Sequence, residues 1–266
     1  GQTTLRLFPA SMQISTVTGL LYCVNFNLHG EMKPSSVSIV DPETMTEIKR
    51  ITTGTMPHGS RISSDGKKQY SVSMMSSELY EIDAVNLNLS RKLNLEEMMK
   101  MGEPINKKMK MGKSMDKKMG MDKSETHKMK MDMKKMNHSK VKPTWVIPHP
   151  SENIAYIAGN GSNEIIEVDL LNWKITNRIK TGKGPYNVEI SPNGKFLIAT
   201  LKSEGSTAIW DLKNDFNLKK IKNSTSVSHG IAISSDSKYA FISVEGIGGE
   251  PGVVDVISLD SLEKIS

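Results

Sequence analysis

Short runs of alternating apolar and polar residues recur along the chain. Val188/Ile190 and Phe196/Ile198 put every second side chain on one face, the period of a half-buried strand. Turn residues interrupt these runs. Asn193-Gly194 is one case, since both residues accept the left-handed dihedrals of a tight hairpin. One unit reads as four short strands near 187–190, 196–201, 207–211 and 218–221. No apolar run approaches the length of a transmembrane helix.

The unit repeats. Asp41, Asp83, Asp169, Asp211 and Asp255 each close an alternating run, at steps of 42, 86, 42 and 44 residues. They read as caps on strand ends. A second marker lies upstream, at Ser64-Asp65-Gly66, Pro150-Ser151-Glu152, Pro192-Asn193-Gly194 and Ser235-Asp236-Ser237. The step of 86 is one period plus an insertion. A lone four-stranded sheet leaves both faces poorly covered, and packing such sheets radially buries them. A β-sandwich has similar strands and turns but does not require a fixed spacing from turn to Asp. The expectation is an all-β fold, a WD40-like β-propeller of four-stranded antiparallel blades. Its blades fall at about 9–54, 55–97, 143–184, 185–227 and 228–266, in one domain over 1–266 interrupted at 98–142. Five units suit a seven-bladed ring seen in part, with five- and six-bladed rings left open.

Charge and cysteine content sharpen this picture. The net charge of +6 is uneven: residues 98–142 hold fourteen Lys against five acidic residues, a local +9 that leaves the rest near −3. The basic segment lacks interleaved aromatics, so nucleic acid is not an expected partner. Cys23 is the one cysteine, which excludes an intrachain disulfide, and its alternating run makes it a packed core thiol. The chain opens Gly1-Gln2-Thr3-Thr4 without an initiator Met or a signal peptide, as in a processed, trimmed or partial chain.

The interruption holds twelve of the eighteen Met. They recur as Met-x-Met at Met99/Met101, Met109/Met111, Met119/Met121, Met129/Met131 and Met131/Met133, with Met115, Met136, His127 and His138 between or beside them. Thioether sulfur is a soft, neutral ligand that selects Cu(I), and by the same chemistry Ag(I). Two blander readings stand beside this one. Lys-Met repeats also make a solvated low-complexity loop, and a charge of +9 also docks on an acidic partner or on lipid headgroups.

In a propeller, the link from a fourth strand to the next first strand opens on the channel face. So do the links between second and third strands. That places His29, Met32, Met74, Met75, residues 159–163 and residues 245–252 on the same face as the interruption. His58 and His229 share one position in their units, seven residues before Asp65 and Asp236. They are candidate channel-face ligands for a metal or an anion, or else simple hydrogen-bonding groups between blades. Thr144 and Tyr186 are their equivalents, whereas His149 is out of register and reads as a turn residue. No nucleophile elbow, phosphate loop, zinc motif or haem-attachment motif occurs.

At these residues a family resemblance emerges. Met56-Pro57-His58-Gly59, with Ser64-Asp65-Gly66-Lys67, resembles the signature of YVTN-repeat (YncE-like) propellers. So does Gly184-Pro185-Tyr186-Asn187-Val188, with Ser191-Pro192-Asn193-Gly194-Lys195. Residues 70–75 and 243–248 are similar to a bacterial secreted or periplasmic subgroup, which implies a periplasmic or extracellular site. The resemblance specifies the fold and says little about activity, since propellers host many functions. Distant relatives with similar repeats, the propellers of nitrous oxide reductase and cytochrome d1, carry copper and haem. The Met-x-Met run resembles segments of bacterial copper- and silver-handling proteins. Three functions follow as expectations. The first is a non-catalytic binding protein for Cu(I) or Ag(I), exchanging metal with a donor, acceptor or other protein at the channel face. The second is an interaction scaffold with an incidental insertion. The third is an oxidoreductase with a metal or cofactor near His58 and His229.

Overall fold

The computed structural model describes residues 1–5, 8–27, 32–97 and 139–266. Of the two units into which the chain divides, the first, residues 1–97 with 139–266, is compact. The first unit is all β, built of five antiparallel sheets whose strands pair in chain order. Blade 1 holds β1 (Pro9–Ile14), β2 (Leu21–Asn25), β3 (Pro34–Asp41) and β4 (Thr46–Thr55). Blade 2 holds β5 (Pro57–Ile62), β6 (Lys68–Ser73), β7 (Glu78–Asp83) and β8 (Asn88–Asn94). Blade 3 holds β9 (Pro143–Pro148), β10 (Ile154–Gly159), β11 (Glu164–Asp169) and β12 (Lys174–Lys180). Blade 4 holds β13 (Pro185–Ile190), β14 (Phe196–Leu201), β15 (Ser206–Asp211) and β16 (Asn217–Lys222). Blade 5 holds β17 (Ser228–Ile233), β18 (Tyr239–Val244), β19 (Val253–Ser258) and β20 (Glu263–Lys264). The expected β-propeller is therefore present as five blades. Among the described residues no helix is long and apolar enough to cross a membrane.

The turn between first and second strands repeats in chemical detail. Ser63, Ser191 and Ser234 follow their first strands, and each hydroxyl donates to an acid or amide two residues on, Asp65, Asn193 or Asp236. Those side chains in turn accept the backbone N–H of Lys67, Lys195 and Lys238. Gly66 and Gly194 take up the left-handed φ that the turn requires. In blade 3, His149 occupies the serine position, and its Nδ1 accepts from the N–H of Ser151 and Glu152 at 3.3 and 3.0 Å. This histidine is a turn cap, which explains why it falls out of register with His58 and His229.

The strand-end aspartates cap the turn between third and fourth strands. Asp83 accepts from the N–H of Val85 and Asn86, both at 2.9 Å, and the Asn86 N–H above all holds its carboxyl down at about 2. Asp41, Asp169 and Asp211 accept equivalent backbone bonds. Asp255 does not belong to this set. It sits three residues before the end of β19 and is buried, accepting from Asn223, the Ser224 N–H and the Ser224 hydroxyl. The cap position in blade 5 is Ser258, whose hydroxyl accepts from the Ser261 N–H. The longer link between β18 and β19 displaces the repeat and brings Asp255 to a false match.

The core lies between blades. Tyr70, Val72 and Leu79 of blade 2 pack on Ala155, Ile157 and Ile166 of blade 3. Tyr156, Ala158 and Ile165 of blade 3 pack on Leu197, Ala199 and Leu201 of blade 4. Phe196, Ile198 and Ile209 of blade 4 pack on Ala240, Ile242 and Val244 of blade 5. Each blade thus has a leading row toward the blade before it and a trailing row toward the blade after it. Residues 139–142, assigned from sequence to the interruption, belong to the propeller unit, and Val141 is part of the core between blades 2 and 3.

One leading row is polar. Gln69 and Ser71 of β6 occupy the register of Ala155/Ile157, Leu197/Ala199 and Ala240/Ile242. Both are fully buried, and neither the Gln69 amide nor the Ser71 hydroxyl makes a hydrogen bond. Each orphaned group costs about 1–3 kcal/mol relative to an apolar isostere. Gln69→Leu should therefore stabilise the seam between blades 1 and 2 by about 1–2 kcal/mol, and urea unfolding should read a higher midpoint with unchanged slope. An unchanged or lower midpoint would show that this amide is satisfied in solution.

Candidate functional site

The first strands form the inner edge of the propeller, with β1 packed on β5, β5 on β9, β9 on β13, and β13 on β17. Four begin with proline, which an edge position tolerates because its missing N–H faces no partner. Every first strand also carries an irregularity of register at this end. Such bulges re-aim side chains, and they fall beside His58, Trp145, Tyr186 and His229.

The result is a line of rings, one from each blade. Phe26 lies edge-on to His58 at 4.9 Å between centroids, and His58 is edge-on to Trp145 at 5.9 Å and to Tyr186 at 5.3 Å. Tyr186 tilts against His229 at 4.4 Å. Hydroxyls on neighbouring blades hold the backbone under these rings. Ser11 donates to the His58 carbonyl at 2.8 Å, Thr144 to that of Tyr186 at 2.7 Å and Thr200 to that of His229 at 2.9 Å.

His58 is fully engaged. Its Nδ1 lies 2.8 Å from the Thr144 carbonyl, which can only accept, so Nδ1 carries the proton. Nε2 is then the acceptor for the Tyr186 hydroxyl at 2.9 Å. Burial pushes the imidazole down to about 4, helped by the positive charge of nearby His229 and Lys202 and opposed by the Thr144 carbonyl. Burial also raises the Tyr186 phenol. A metal reaches Nε2 only by displacing the Tyr186 bond.

His229 is more open. Its Nε2 lies 3.4 Å from Glu245, and Lys202 lies 3.6 Å from the same carboxylate. Lys202 also sits over the Tyr186 ring at 4.7 Å, and Arg61 sits over Trp145 at 4.9 Å while pairing with Glu189 at 2.8 Å. The faces of Trp145 and Tyr186 thus already carry the protein's own cations, and the accessible rim is His229, Lys202 and Glu245. Among the described residues no group of three or more His, Cys, Asp or Glu side chains is arranged to hold a metal ion.

The structure brings His58 and His229 to either side of Tyr186. Sequence reasoning missed Phe26 and Trp145. Trp145 follows Thr144 directly, and the bulge beside it leaves no mark in the strand pattern. Met99, Met101, Met109, Met111, Met115, Met119, Met121, His127, Met129, Met131, Met133, Met136, His138 and His29 lie outside the described residues. Met32 is exposed, and Met74 and Met75 are half-buried. The links between second and third strands do reach the starts of first strands: Asn160 donates to the Pro185 carbonyl, and Met74 N–H to that of Met56. The described ends of the interruption meet on this face, with the Lys140 N–H donating to Glu96 at 2.7 Å and Ser139 touching Ser77.

A second opening lies at the other end of the blades. A cavity of about 400 Å³ between blades 2 and 3 is lined by Lys68, Tyr70, Glu81, Arg91 and His149 among others. Its floor is charge-balanced. Arg91 binds the buried Glu81 carboxylate through two nitrogens, stacks on Trp173 at 4.3 Å and donates to the Leu170 carbonyl of blade 3. These groups staple the two blades together.

Residues 30–264 match the family model described as YNCE-like beta-propeller. No curated protein matches the chain. Among solved structures, a chain of Kuenenia stuttgartiensis hydrazine synthase is similar, with a TM-score of 0.68 and 17% identity. The match covers 98% of this chain and 66% of that one, so the present chain spans just under two thirds of the other. At that identity the likeness is one of fold.

The His58 environment sets a pH response. Above about pH 6.5 the imidazole is neutral in both folded and unfolded chains. Between 6.5 and about 4 the unfolded chain takes up a proton that the folded chain refuses. Stability at this position therefore falls as pH is lowered through that window, by at most about 1.4 kcal/mol per unit. NMR titration should find the His58 ring neutral and Nδ1-protonated down to about pH 4, and His58→Asn should flatten the urea midpoint against pH. A ring that titrates near 6.5 would contradict this account.

Proposed function

The chain belongs to the YNCE-like β-propeller family, and we propose that it is a non-catalytic binding protein that takes up Cu(I) or Ag(I) through its methionine-rich interruption. The observation that carries this reading is the Met-x-Met spacing, which repeats five times between Met99 and Met133. Neutral thioethers match soft monovalent ions and compete poorly for hard cations. They add no negative charge, so the ion brings its own charge into a segment already at +9. Binding is accordingly weak enough to reverse, which suits capture and handover to another protein. His127 and His138 add imidazoles that also tolerate Cu(II). The propeller supplies a rigid carrier, and the site of action is the periplasm or the cell exterior.

Anaerobic titration with Cu(I) against a chromophoric competitor tests the reading. The chain should take up the ion stoichiometrically. Replacing Met99, Met101, Met109, Met111, Met115, Met119, Met121, Met129, Met131, Met133 and Met136 by Leu should abolish uptake with the β-sheet circular dichroism unchanged. Uptake that survives this replacement would sink the proposal. The charge of +9 favours a second reading, docking on an acidic partner. Under that reading the Leu variant keeps its partner and a chain lacking residues 98–138 loses it.

A further inference from the structure

One backbone bond recurs in all five blades. The residue directly after each second strand, Phe26, Met74, Asn160, Lys202 or Glu245, donates its N–H to the carbonyl directly before the first strand of its own blade. The acceptors are Phe8, Met56, Lys142, Gly184 and Val227, at 2.7–3.2 Å. This bond fixes the backbone and leaves the side chain to vary. Each blade carries a different one: a ring, a thioether, an amide, an ammonium and a carboxylate. Blades 4 and 5 thereby set opposite charges beside each other. The Glu245 backbone is held a second time, its carbonyl accepting from the Thr225 hydroxyl at 2.6 Å. Its carboxylate lies 3.4 Å from His229 Nε2 and 3.6 Å from Lys202 Nζ, next to the Tyr186 ring that Lys202 covers. The Arg61–Glu189 pair over Trp145 has the same composition, but its side chains are only 15% and 17% exposed. The Glu245 side chain is 52% exposed. At such exposure an ion pair contributes little, because water screens it and two long side chains must be held still. The Glu245 carboxylate therefore swings away by bond rotation while its backbone stays in place.

We propose that Lys202 and His229 form a binding site for a free carboxylate group, with the Glu245 side chain as its built-in occupant. The seated group defines the ligand chemistry, since one carboxylate oxygen is shared between an ammonium and an imidazole. Charge narrows the class. Burial, with Lys202 adding to it and Glu245 opposing, holds the His229 imidazole below its ordinary range. Near neutral pH, Lys202 thus supplies the one full positive charge. That matches a monocarboxylate and leaves a dianion such as phosphate half-compensated. The same ammonium repels a metal ion from the Glu245 oxygen. A small organic acid and the free C-terminus of a peptide carry the required group alike. A tethered occupant competes at an effective concentration on the order of millimolar. The site is therefore closed to dilute carboxylates and admits abundant ones.

Titrations of the full chain at low salt, read by NMR of the His229 ring nitrogens, test the site. The probes are acetate, N-acetyl-dialanine, the C-terminal amide of that dipeptide, and inorganic phosphate. Glu245→Ala removes the occupant at an exposed side chain and should leave the β-sheet circular dichroism unchanged. It should bind acetate about tenfold more tightly than the unaltered chain does. Adding Lys202→Gln should cancel that gain, and the dipeptide amide should not bind to any variant. Acetate bound at least as tightly as N-acetyl-dialanine supports a small organic acid as the natural source, whereas preference for the dipeptide supports a chain terminus. Acetate affinity that Glu245→Ala leaves unchanged would overturn the proposal. So would a gain that survives Lys202→Gln, binding of the amide, or phosphate bound more tightly than acetate.

Discussion

Every blade depends on the row of side chains that its neighbour lays against it. A twisted four-stranded sheet has two faces and no interior of its own, so its apolar residues leave water only when another sheet covers them. That constraint explains why strands of six residues suffice. Each contributes two or three side chains to a row, and rows such as Tyr70/Val72 on Ala155/Ile157 make the core without any large hydrophobic element. It also explains where the polar exceptions matter. Gln69 sits in a row where the other blades place Ala or Leu, so the seam between blades 1 and 2 buries less apolar surface than those that follow.

The inner edge answers to the same constraint with different chemistry. First strands approach one another closely, and their bulged ends leave carbonyls that the sheet does not use. Hydroxyls from Ser11, Thr144 and Thr200 satisfy the carbonyls of His58, Tyr186 and His229 across the blade boundaries. His58 extends the scheme through its ring, donating to one neighbour and accepting from another. A histidine so committed works as a tie between blades 2, 3 and 4. His229, with Glu245 and Lys202, presents the only channel-face imidazole among the described residues that is not held in this way.

The repeat was legible because its turns are built from side chains that must stand at fixed offsets. Ser191, Asn193 and Gly194 each meet a local geometric demand, so their period of about 42 residues survives where the strands themselves vary. The same logic failed at Asp255. A carboxylate three residues inside β19 falls near the expected spacing only because the β18–β19 link is longer, and a period alone cannot tell a turn cap from a buried acid. The positions of His58 and His229 followed from the repeat, but their different environments did not. Those depend on Tyr186 and Glu245, which arrive from other strands. Phe26 joins the ring line from beyond the end of β2, where no local pattern marks it.

The interruption is compatible with this architecture because of what holds its ends. Leu93 and Leu95 precede it and Val141 and Val146 follow it, all in one cluster between blades 2 and 3. Arg178 of blade 3 pairs with Glu164 at 2.6 Å and donates to the carbonyls of Leu95 and Glu97 at 2.5 and 3.1 Å. Glu96 accepts from the Lys140 N–H and from Ser77. The chain therefore leaves and re-enters at a clamped point. Closing a longer loop between fixed ends adds only about 0.6 kcal/mol per doubling of its length. A segment of unrelated composition can lengthen or change there without loosening the seam. The seam between blades 2 and 3 combines a buried apolar cluster, the Arg91–Glu81 staple and the Arg178 clamp. That combination makes this seam the one best tied on both sides of a chain break among the described residues.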